Sequence, residues 1–421
     1  MPFTPLPAGA SDALIAKRLA DYVVLTASPD VPRAAIDYWE LSVGAYQRVR
    51  GPLDEEAARS PVLDEASRQL AAFPESVAAY RGLVACLIVE LGRSPRLREA
   101  ARNAIPDADE EIWIDYWLGD RHTEQAAPCR KEDLQSIAAR RPAPRGGVPR
   151  VQVIIPFRDA ESGERTRNLL ACLLALRDQE PAAVGGQSVD ARVIVVETDT
   201  CPRGRELLTS LADRYVFAWK DGLFNKSWAV NIGLREGGSP ESERTPELTC
   251  VLDADILVER SFLSVNAGRF SNGHDAHLPY HDMTCLDAAS SALAIRSRLI
   301  DEHEFVDRAL LRGLVLREPP GACLWARTEV LHRIGGFDER YEGWGGEDDD
   351  VVGRLARFHS FTRYRDPLLH MNHSRPRMTH EDGTLLNGHL LGSDQADDAW
   401  TGDREYGDPM RFIEKVSFRE N

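Results

Sequence analysis

The sequence predicts an α/β domain with a mainly parallel sheet, preceded by a smaller α-helical domain. Three observations lead to this prediction. The chain has 421 residues, which is long for one average domain and sufficient for two. Its first third repeats apolar residues at helical spacing. The rest alternates short β-branched runs with helical segments, the pattern expected when helices cover a parallel sheet.

Composition and charge exclude several classes of protein. Hydrophobic residues make up 43% and charged residues 28% of the chain, which is ordinary for a globular protein. The net charge of −16 argues against general nucleic-acid binding, because that requires Lys and Arg to neutralise phosphates. It still permits a nucleotide in a local pocket. The seven cysteines are scattered and form neither a disulfide framework nor a zinc pattern.

Membrane insertion is not expected either. No apolar run approaches the ~20 residues of a membrane span. The first ten residues lack the basic and apolar parts of a signal peptide. We therefore expect no integral membrane segment and a cytoplasmic, bacterial location.

Residues 1–145 are predicted to form the helical domain. Ser11 is a candidate cap for its first helix. Apolar periodicity predicts further helices at 34–49, 63–73, 76–91 and 108–118. A stretch rich in Arg, Pro and Gly at 140–147 is typical of a linker. It places the second domain at residues 146–421.

The second domain is predicted to carry its chemistry at the strand ends. Short apolar runs predict strands at 151–156, 191–197, 215–220 and 249–252, with helices at 166–177 and 226–236. Ligands of such sheets collect beyond the carboxyl ends of the strands. The informative polar residues there are Arg158, Glu197, Asp199, Asp253 and Asp255.

Asp253-Ala254-Asp255 and a histidine pair suggest a metal site. The two acids follow an apolar strand, where burial without a cation or hydrogen-bond partners is costly. A hard divalent metal with diphosphate oxygens meets that need. An ordinary pair of turn aspartates is the alternative, and we favour the metal and nucleotide. His370 and His373 have a spacing at which two imidazoles can share a metal.

The stretch 335–350 is the most informative in the chain. A Gly-Trp-Gly-Gly turn at 343–346 precedes four acids at 347–350. Acids suit the first turn of a helix, but this explains one or two of them rather than four beside a tryptophan. The open face of Trp344 is a suitable platform for a sugar ring. A neighbouring acid can serve as general base.

These motifs, taken in order, resemble the β-1,4-galactosyltransferase family, and related motifs occur in family 2 glycosyltransferases of the GT-A fold. The resemblance covers residues 150–376 and omits the N-terminal third. It includes Pro-Phe-Arg at 156–158, Phe-Asn-Lys at 224–226, Asp-Ala-Asp at 253–255, Gly-Ala at 321–322, Gly-Trp-Gly-Gly-Glu-Asp-Asp-Asp at 343–350 and His-Ser-Arg at 373–375.

The resemblance implies a role for each matching residue. It implies Mn²⁺ or Mg²⁺ held by Asp255, His373 and His370, the last replacing a methionine of the animal enzymes. Asp348 becomes the catalytic base. The residues implied in binding the acceptor or the donor sugar are Trp344, Gly345, Gly346, Glu347 and Asp349. Those implied in binding the UDP-sugar donor are Pro156, Phe157, Arg158, Phe224, Lys226, Asp253 and Gly321.

The implied function is an inverting, metal-dependent transfer of a hexose or N-acetylhexosamine from a UDP-sugar to a hydroxyl of a glycan, natural product or peptide. Two alternatives stay open: an inactive nucleotide-sugar-binding protein, and a metal-dependent nucleotidyl- or phosphotransferase. Ala322 and Pro319-Pro320 depart from the family pattern, so the donor sugar stays open. The segment 281–316 has no counterpart and is expected to form acceptor-side or lid structure. For residues 1–145, docking, acceptor recognition and oligomerisation all fit.

Overall fold

The computed structural model describes residues 3, 5–7, 9–124, 127–139, 150–159, 163–180, 189–238, 245–374, 377–390, 400, 402 and 406–413. The chain forms two compact units. The first contains Met1–Ala127, Asp282–Leu293 and Asp307–Glu318, and the second contains Pro128–His281, Ala294–Val306 and Pro319–Asn421. The predicted linker at 140–147 and the boundary after residue 145 lie outside the described residues, so the boundary stays a prediction.

The first unit begins with six helices and a strand. These are α1 (Asp12–Ala27), α2 (Asp30–Ala34), α3 (Ile36–Ala57), α4 (Pro61–Ala72), α5 (Val77–Arg93), α6 (Pro95–Glu111) and β1 (Ile114–Leu118). The predicted cap is confirmed, because the Ser11 hydroxyl accepts the N–H of Leu14 at 3.3 Å. The predicted helix at 108–118 is wrong: α6 ends at Glu111, and the following residues form β1.

Along the rest of the chain, seventeen named elements follow one another among the described residues. They are α7 (Lys131–Ala138), β2 (Val151–Phe157), α8 (Glu164–Arg177), β3 (Ala191–Asp199), α9 (Arg205–Leu208), β4 (Arg214–Trp219), α10 (Lys226–Gly237), β5 (Leu248–Leu252), β6 (Ile256–Leu257), α11 (Phe262–Arg269), β7 (Ala276–Leu286), α12 (Ala288–Leu299), β8 (Arg312–Arg317), β9 (Cys323–Arg327), α13 (Thr328–Arg333), α14 (Glu347–Phe358) and β10 (Phe361–His370).

The misassigned strand β1 has its partner far along the chain. It pairs antiparallel with β8, with Ile114 opposite Leu316. In turn, β8 pairs antiparallel with the last residues of β7. A helical pattern read locally could not reveal this pairing, because the partner lies about 200 residues later. Parts of the segment 281–316 therefore belong to the first unit, and their expected acceptor-side role stays a prediction.

A charged cluster, which we call the Arg18 cluster, lies buried in the first unit. The Arg18 guanidinium donates to Asp109 at 2.6 Å and to Asp115 at 2.6 Å, and its Nη1 lies 3.3 Å from Asp21. The Tyr80 hydroxyl donates to Asp21 at 2.6 Å. Because burial outweighs the attraction of Arg18, the pKa of Asp21 rises to about 7. The cluster joins α1, α5, α6 and β1 through polar groups.

The second unit contains the predicted parallel sheet. Its order is β7-β9-β5-β2-β3-β4. Strand β2 runs parallel to β3 and to β5, and β3 runs parallel to β4. The strands added beyond β5 are antiparallel. The α/β class predicted from the alternation of strands and helices is thus confirmed.

Helix α10 packs against β2 and β3 at close range. A Cβ at Gly233 would collide with the Ile154 side chain, so a glycine is needed for this approach. Trp228 is fully buried in a cluster with Ile194, Val196 and Ile232. The packing fixes where α10 begins, and that start is where Asn225 and Lys226 enter the site. Within the described residues, no helix is both long and apolar enough to cross a bilayer.

Candidate active site

A cavity of about 370 Å³ opens where β2 and β5 end in the second unit. This is the edge at which the strand order predicted a ligand. The predicted residues that line it are Pro156, Phe157, Arg158, Phe224, Lys226, Asp253, Asp255, Trp344, Glu347, Asp348, His370 and His373. Gly321 lines a cavity of about 10 Å³, which shares Lys226, Asp253 and Asp348 as lining residues. Gly345, Gly346 and Asp349 are not among the described lining residues of either cavity.

The chain brings one acid and two imidazoles together at the mouth of β5. Strands β6 and β10 pair antiparallel, with His370 opposite Ile256. The N–H of Met371 donates to the carbonyl of Asp255 at 2.8 Å. Nε2 of His373 lies 2.9 Å, and Nε2 of His370 3.4 Å, from the Asp255 carboxylate oxygens. All three candidate ligand atoms lie within 4.8 Å of one another.

These three residues fit a divalent metal. Nδ1 of His373 lies 2.7 Å from the carbonyl of Ser374, which can only accept, so Nδ1 carries the proton. In the neutral ring, Nε2 then turns its lone pair toward the Asp255 carboxylate, and two acceptors face each other. Oδ1 of Asp255 is buried without a hydrogen-bond partner among the described residues. A cation between these groups resolves both mismatches, and imidazole with carboxylate is a suitable donor set.

Asp255 is an ionised carboxylate even without a metal. Burial alone raises the pKa of this carboxyl, but the positive form of His370 and His373 lowers it further than burial raises it, and a bound cation would take the place of their protons. The net effect is a pKa of Asp255 below its usual range. The carboxylate is therefore ionised at neutral pH and available as a ligand.

Lys226 is the centre of a second group, which we call the Lys226 cluster. Its Nζ lies 2.8 Å from Asp348, 3.0 Å from Asp253 and 3.9 Å from Glu347. Burial lowers the pKa of Lys226, but the three acids raise it well above its ordinary value. The lysine is therefore charged, and its charge is directed at the two predicted functional acids. A donor contact was predicted for Lys226; in the structure its ammonium binds these carboxylates.

Glu347 differs from its neighbours in protonation. Burial and the adjacent Asp348 raise the pKa of Glu347 to about 8, although Lys226 acts in the opposite direction. Glu347 therefore holds its proton at neutral pH. It can donate a hydrogen bond where Asp348 and Asp253 accept.

Gly321 packs directly against Asp348, and Ala322 binds Asp253. A Cβ at Gly321 would collide with the Asp348 carboxylate, so only glycine permits this approach. Ala322 has φ of +79°, a region that favours glycine, and the family pattern has glycine there. The carbonyl of Ala322 accepts the N–H of Asp253 at 2.9 Å. This strained peptide thereby holds the first aspartate in place.

The loop at residues 335–346, which we call the acceptor loop after the role that its motif predicts, turns through a series of left-handed glycines. Gly343, Gly345 and Gly346 have φ of +80°, +97° and +92°. The acids that follow lie in the first turn of α14, as the plain helix-start interpretation expected. Their side chains nevertheless diverge: Asp348 meets Lys226, and Asp350 pairs with Arg354 at 2.5 Å. The first turn of α14 is therefore both an acidic helix start and part of the candidate site.

Arg158 lines the cavity in a different way from the one predicted. The resemblance implied that Arg158 binds the donor, but its guanidinium donates to the carbonyls of Thr198, Gly222 and Lys220 at 2.5, 2.6 and 3.1 Å. It also lies 5.5 Å from the ring centroid of Phe224. Arg158 thus fixes the wall of the cavity. Its role in donor binding stays a prediction.

Two other predicted strand-end residues do not reach the cavity. Glu197 accepts the N–H of Arg203 at 2.9 Å and the hydroxyl of Tyr215. Asp199 pairs with Arg203 at 2.8 Å. Both acids stabilise the turn after β3.

Several residues that position the site were not predicted to belong to it, although the Phe-Asn-Lys motif offered Asn225 as a helix cap and the structure confirms that cap. Asn225 caps α10 by accepting the N–H of Trp228 at 2.7 Å, and its amide donates to the carbonyl of Glu339 at 2.8 Å. Asn387 holds the acceptor loop by accepting the N–H of Glu342 at 3.2 Å and donating to the carbonyl of Gly345 at 2.8 Å. The cavity also contains Arg165 and Arg377. Only the Phe-Asn-Lys motif had drawn attention to any of these positions.

The second half of the site matches a known family. A family model described as the N-terminal domain of galactosyltransferase matches residues 316–375. This segment is galactosyltransferase-like. It contains Gly321, the Trp344 turn, Asp348 and both histidines, and the match confirms the resemblance that the motifs indicated. The galactosyltransferase-like segment accompanies the expected GT-A arrangement of parallel strands with Asp253-Ala254-Asp255 directly after β5.

Several solved glycosyltransferases share part of the chain path. A mannosyltransferase from Pyrobaculum calidifontis, solved with GDP-Man and Mn²⁺, is 17% identical; the alignment covers 58% of this chain and 64% of that one at a TM-score of 0.32. The catalytic domain of Drosophila beta1,4galactosyltransferase 7, solved with xylobiose, is 16% identical, with 51% and 65% covered at 0.28. GalNAc-T7 with UDP, GalNAc and Mn²⁺ is 12% identical, with 53% and 44% covered at 0.33.

The chain spans just under two thirds of the mannosyltransferase and of the Drosophila catalytic domain. No curated protein sequence matches this chain.

Proposed function

We propose that the protein is an inverting, metal-dependent glycosyltransferase of the GT-A type that uses a UDP-sugar donor and a hydroxyl acceptor. One observation carries the proposal. A single cavity is bordered by Asp255, His370 and His373 on one side and by Lys226, Asp253 and Asp348 on the other. The first group suits a cation with a diphosphate, and the second places a carboxylate beside the reacting centre.

The donor occupies the cavity with its base toward Phe224 and the wall made by Arg158, and its diphosphate toward Asp255. Asp253 and Gly321 border the sugar. A Mn²⁺ or Mg²⁺ ion held by Asp255, His373 and His370 would neutralise charge on the departing diphosphate. Because all the described residues that line this cavity lie after residue 146, we propose residues 146–421 as the catalytic domain.

Transfer is a single displacement. Asp348 takes the proton of the acceptor hydroxyl, whose oxygen bonds to the anomeric carbon. The bond from that carbon to the diphosphate oxygen breaks, UDP leaves with the electron pair, and the anomeric configuration inverts. Lys226 keeps Asp348 oriented before the acceptor arrives, because its ammonium donates to both carboxylate oxygens. Protonated Glu347 donates a hydrogen bond to a sugar hydroxyl, and Trp344 stacks on a sugar ring.

Calorimetric titration with UDP, with and without Mn²⁺, tests the donor site. We expect binding that requires Mn²⁺ and is lost in Asp255→Ala. Glu236→Ala, which removes an acid paired with Arg214 outside the cavity, should bind UDP like the wild type. Absence of UDP binding to the wild-type protein under every metal condition would overturn the proposal.

Titration with UDP-galactose, UDP-N-acetylgalactosamine, UDP-N-acetylglucosamine and UDP-glucose then identifies the donor. Tighter binding of UTP than of every UDP-sugar would favour a nucleotidyltransferase instead. Nuclear magnetic resonance of the transfer product decides the stereochemistry, and retention at the anomeric carbon would contradict the single displacement. Fractionation of the source cells tests the proposed cytoplasmic location.

A further inference from the structure

We propose that Glu339 is a positioning residue for the acceptor loop, and that residues 406–413 form a C-terminal brace that holds it. The inference rests on the proposed function for its catalytic consequence only. Glu339 lies eight residues before Glu347 in the chain, within the segment that leads to the Trp344 turn. None of the motifs that indicated the function includes the brace.

Glu339 is a buried carboxylate with partners from two directions. Its side chain is fully inaccessible to solvent. From α10, the amide of Asn231 donates to it at 2.9 Å. From the brace, the N–H of Gly407 donates at 2.6 Å and the guanidinium of Arg411 forms an ion pair. A buried charge requires such partners, because losing one leaves a large desolvation penalty.

The same partners fix the backbone of the acceptor loop. The side chain of Asn231 accepts the N–H of Phe337 at 2.9 Å and donates to the carbonyl of Phe337 at 2.8 Å. Asn225 donates to the carbonyl of Glu339 at 2.8 Å. Hydrogen bonds from α10 therefore fix the backbone at Phe337 and Glu339. The Glu339 carboxylate links the same part of the loop to Gly407 and Arg411 of the brace.

The brace itself is anchored by contacts that require close packing. Gly407 has φ of +71°, and a Cβ there would lie 2.5 Å from the carbonyl oxygen of Asn231. The indole N–H of Trp228 donates to the carbonyl of Asp408 at 2.9 Å. Phe412 packs edge-on against Trp228, with ring centroids 4.8 Å apart. The brace thus lies on a rigid, buried part of α10.

A second connection joins the brace to the loop. Nζ of Lys220 lies 4.5 Å from the ring centroid of Phe412 and 3.2 Å from the carboxylate of Glu342. The brace therefore contacts the acceptor loop at Glu339 and, through Lys220, at Glu342, which directly precedes the Gly-Trp-Gly-Gly turn. Displacement of a substrate-positioning loop by about 1 Å can lower a rate by about 100-fold.

The test uses the full chain carrying Arg411→Met. It is compared with Arg411→Lys, with a double variant that combines Glu339→Gln and Arg411→Met, and with the control Arg333→Met. Arg333 forms an exposed pair with Glu329, so its removal should change nothing. Three quantities are measured for each protein: hydrogen exchange at 337–350 and at 151–157, UDP affinity with Mn²⁺, and transfer to xylobiose or N-acetylglucosamine from the UDP-sugar that titration selects.

We expect Arg411→Met to speed exchange at 337–350 while leaving 151–157 and UDP affinity unchanged, and to lower kcat/KM for the acceptor by about 10–100-fold. Arg411→Lys should restore most of the activity. The double variant should recover part of it, because no unpaired charge then stays buried.

Unchanged exchange and activity in Arg411→Met would overturn the proposal. So would a parallel loss of UDP affinity, exchange protection at 151–157 and thermal stability, because that pattern indicates general unfolding. If the wild-type protein binds no UDP, the proposed function fails, and exchange at 337–350 still decides whether the brace holds the loop.

Discussion

Each compact unit buries one cation among three acids, and the two clusters differ in their exposure. In the Arg18 cluster, Arg18 is 12% exposed, and its partners Asp21, Asp109 and Asp115 are 7%, 1% and 2% exposed. In the Lys226 cluster, the lysine is 11% exposed, but Asp253 and Asp348 are 28% and 21% exposed. The cations are equally buried, whereas only the second set of acids borders a cavity.

This difference separates a structural cluster from a candidate catalytic one. The acids around Arg18 receive hydrogen bonds from Tyr22 and Tyr80 and join neighbouring helices. The acids around Lys226 share a single ammonium, which donates to both oxygens of Asp348, and they border space that a ligand can enter. Charge composition alone would not distinguish the two clusters. Variants of the Lys226 cluster should therefore lose activity, whereas variants of the Arg18 cluster should lose stability.

Asp348→Asn should produce the largest effect. Loss of a general base lowers the rate by about 100–10,000-fold, and the amide keeps the shape of the side chain. Transfer is measured with the donor that calorimetry selects, and circular dichroism checks folding. Asp350→Asn is the matched control, because it makes the same change in the same helical turn where the carboxylate pairs with Arg354. Near-normal transfer by folded Asp348→Asn would show that the base lies elsewhere.

Arg18→Met should fail in stability. Removing the cation leaves acids buried without compensation, and the free energy of unfolding should fall by about 3–5 kcal/mol. Denaturation with urea measures it. Lys17→Met removes an exposed pair with Asp120 and should change stability by less than about 1 kcal/mol. A loss in Arg18→Met as small as that of the control would remove the contrast between the clusters.

The pH dependence of stability should identify Asp21. Its pKa is about 7 in the folded protein and about 3.9 when unfolded, so the folded state binds the proton more tightly. Its stabilising contribution is complete below about pH 4 and is lost as pH rises through 7. Between pH 5 and 8, wild-type stability should fall relative to Asp21→Asn by about 3 kcal/mol. Parallel urea denaturation series of the two proteins measure this difference, and equal slopes would contradict it.

Ala322→Gly should have the smallest effect. Glycine relieves the left-handed strain at φ of +79°, and the gain exceeds the added flexibility of the unfolded chain by about 0.5 kcal/mol. Urea denaturation measures the change. A loss of stability would show that the Ala322 methyl group packs well enough to offset the strain.

Local spacing predicted much of the site. The Asp-Ala-Asp motif, the histidine pair and the Trp344 turn are each compact in sequence and chemically distinctive, and their resemblance to a known family joined Asp255 with His373 and His370 and singled out Asp348. The parallel strands were predicted because their apolar runs are buried on both faces. These features depend on neighbouring residues, which a sequence displays directly.

Long-range partners could not be predicted in this way. The pairing of Lys226 with Asp348 spans 122 residues, so Lys226 was assigned to the donor instead. Strand β1 was taken for helix because β8, its partner, is remote in sequence. Arg158 carries a group suited to phosphate, and only the fold shows that backbone carbonyls occupy it. Asn387 and Glu339 could not be predicted for the same reason, because each binds backbone groups that are remote in sequence.

The two-residue pairing of β6 with β10 has a consequence for synthesis of the chain. Asp255 leaves the ribosome more than a hundred residues before His370 and His373, and the Met371 N–H that fixes its carbonyl comes between the two histidines. A nascent chain therefore contains the aspartate long before it can complete the ligand set. The proposed metal site can therefore be completed only after residue 373 has been synthesised, near the end of translation.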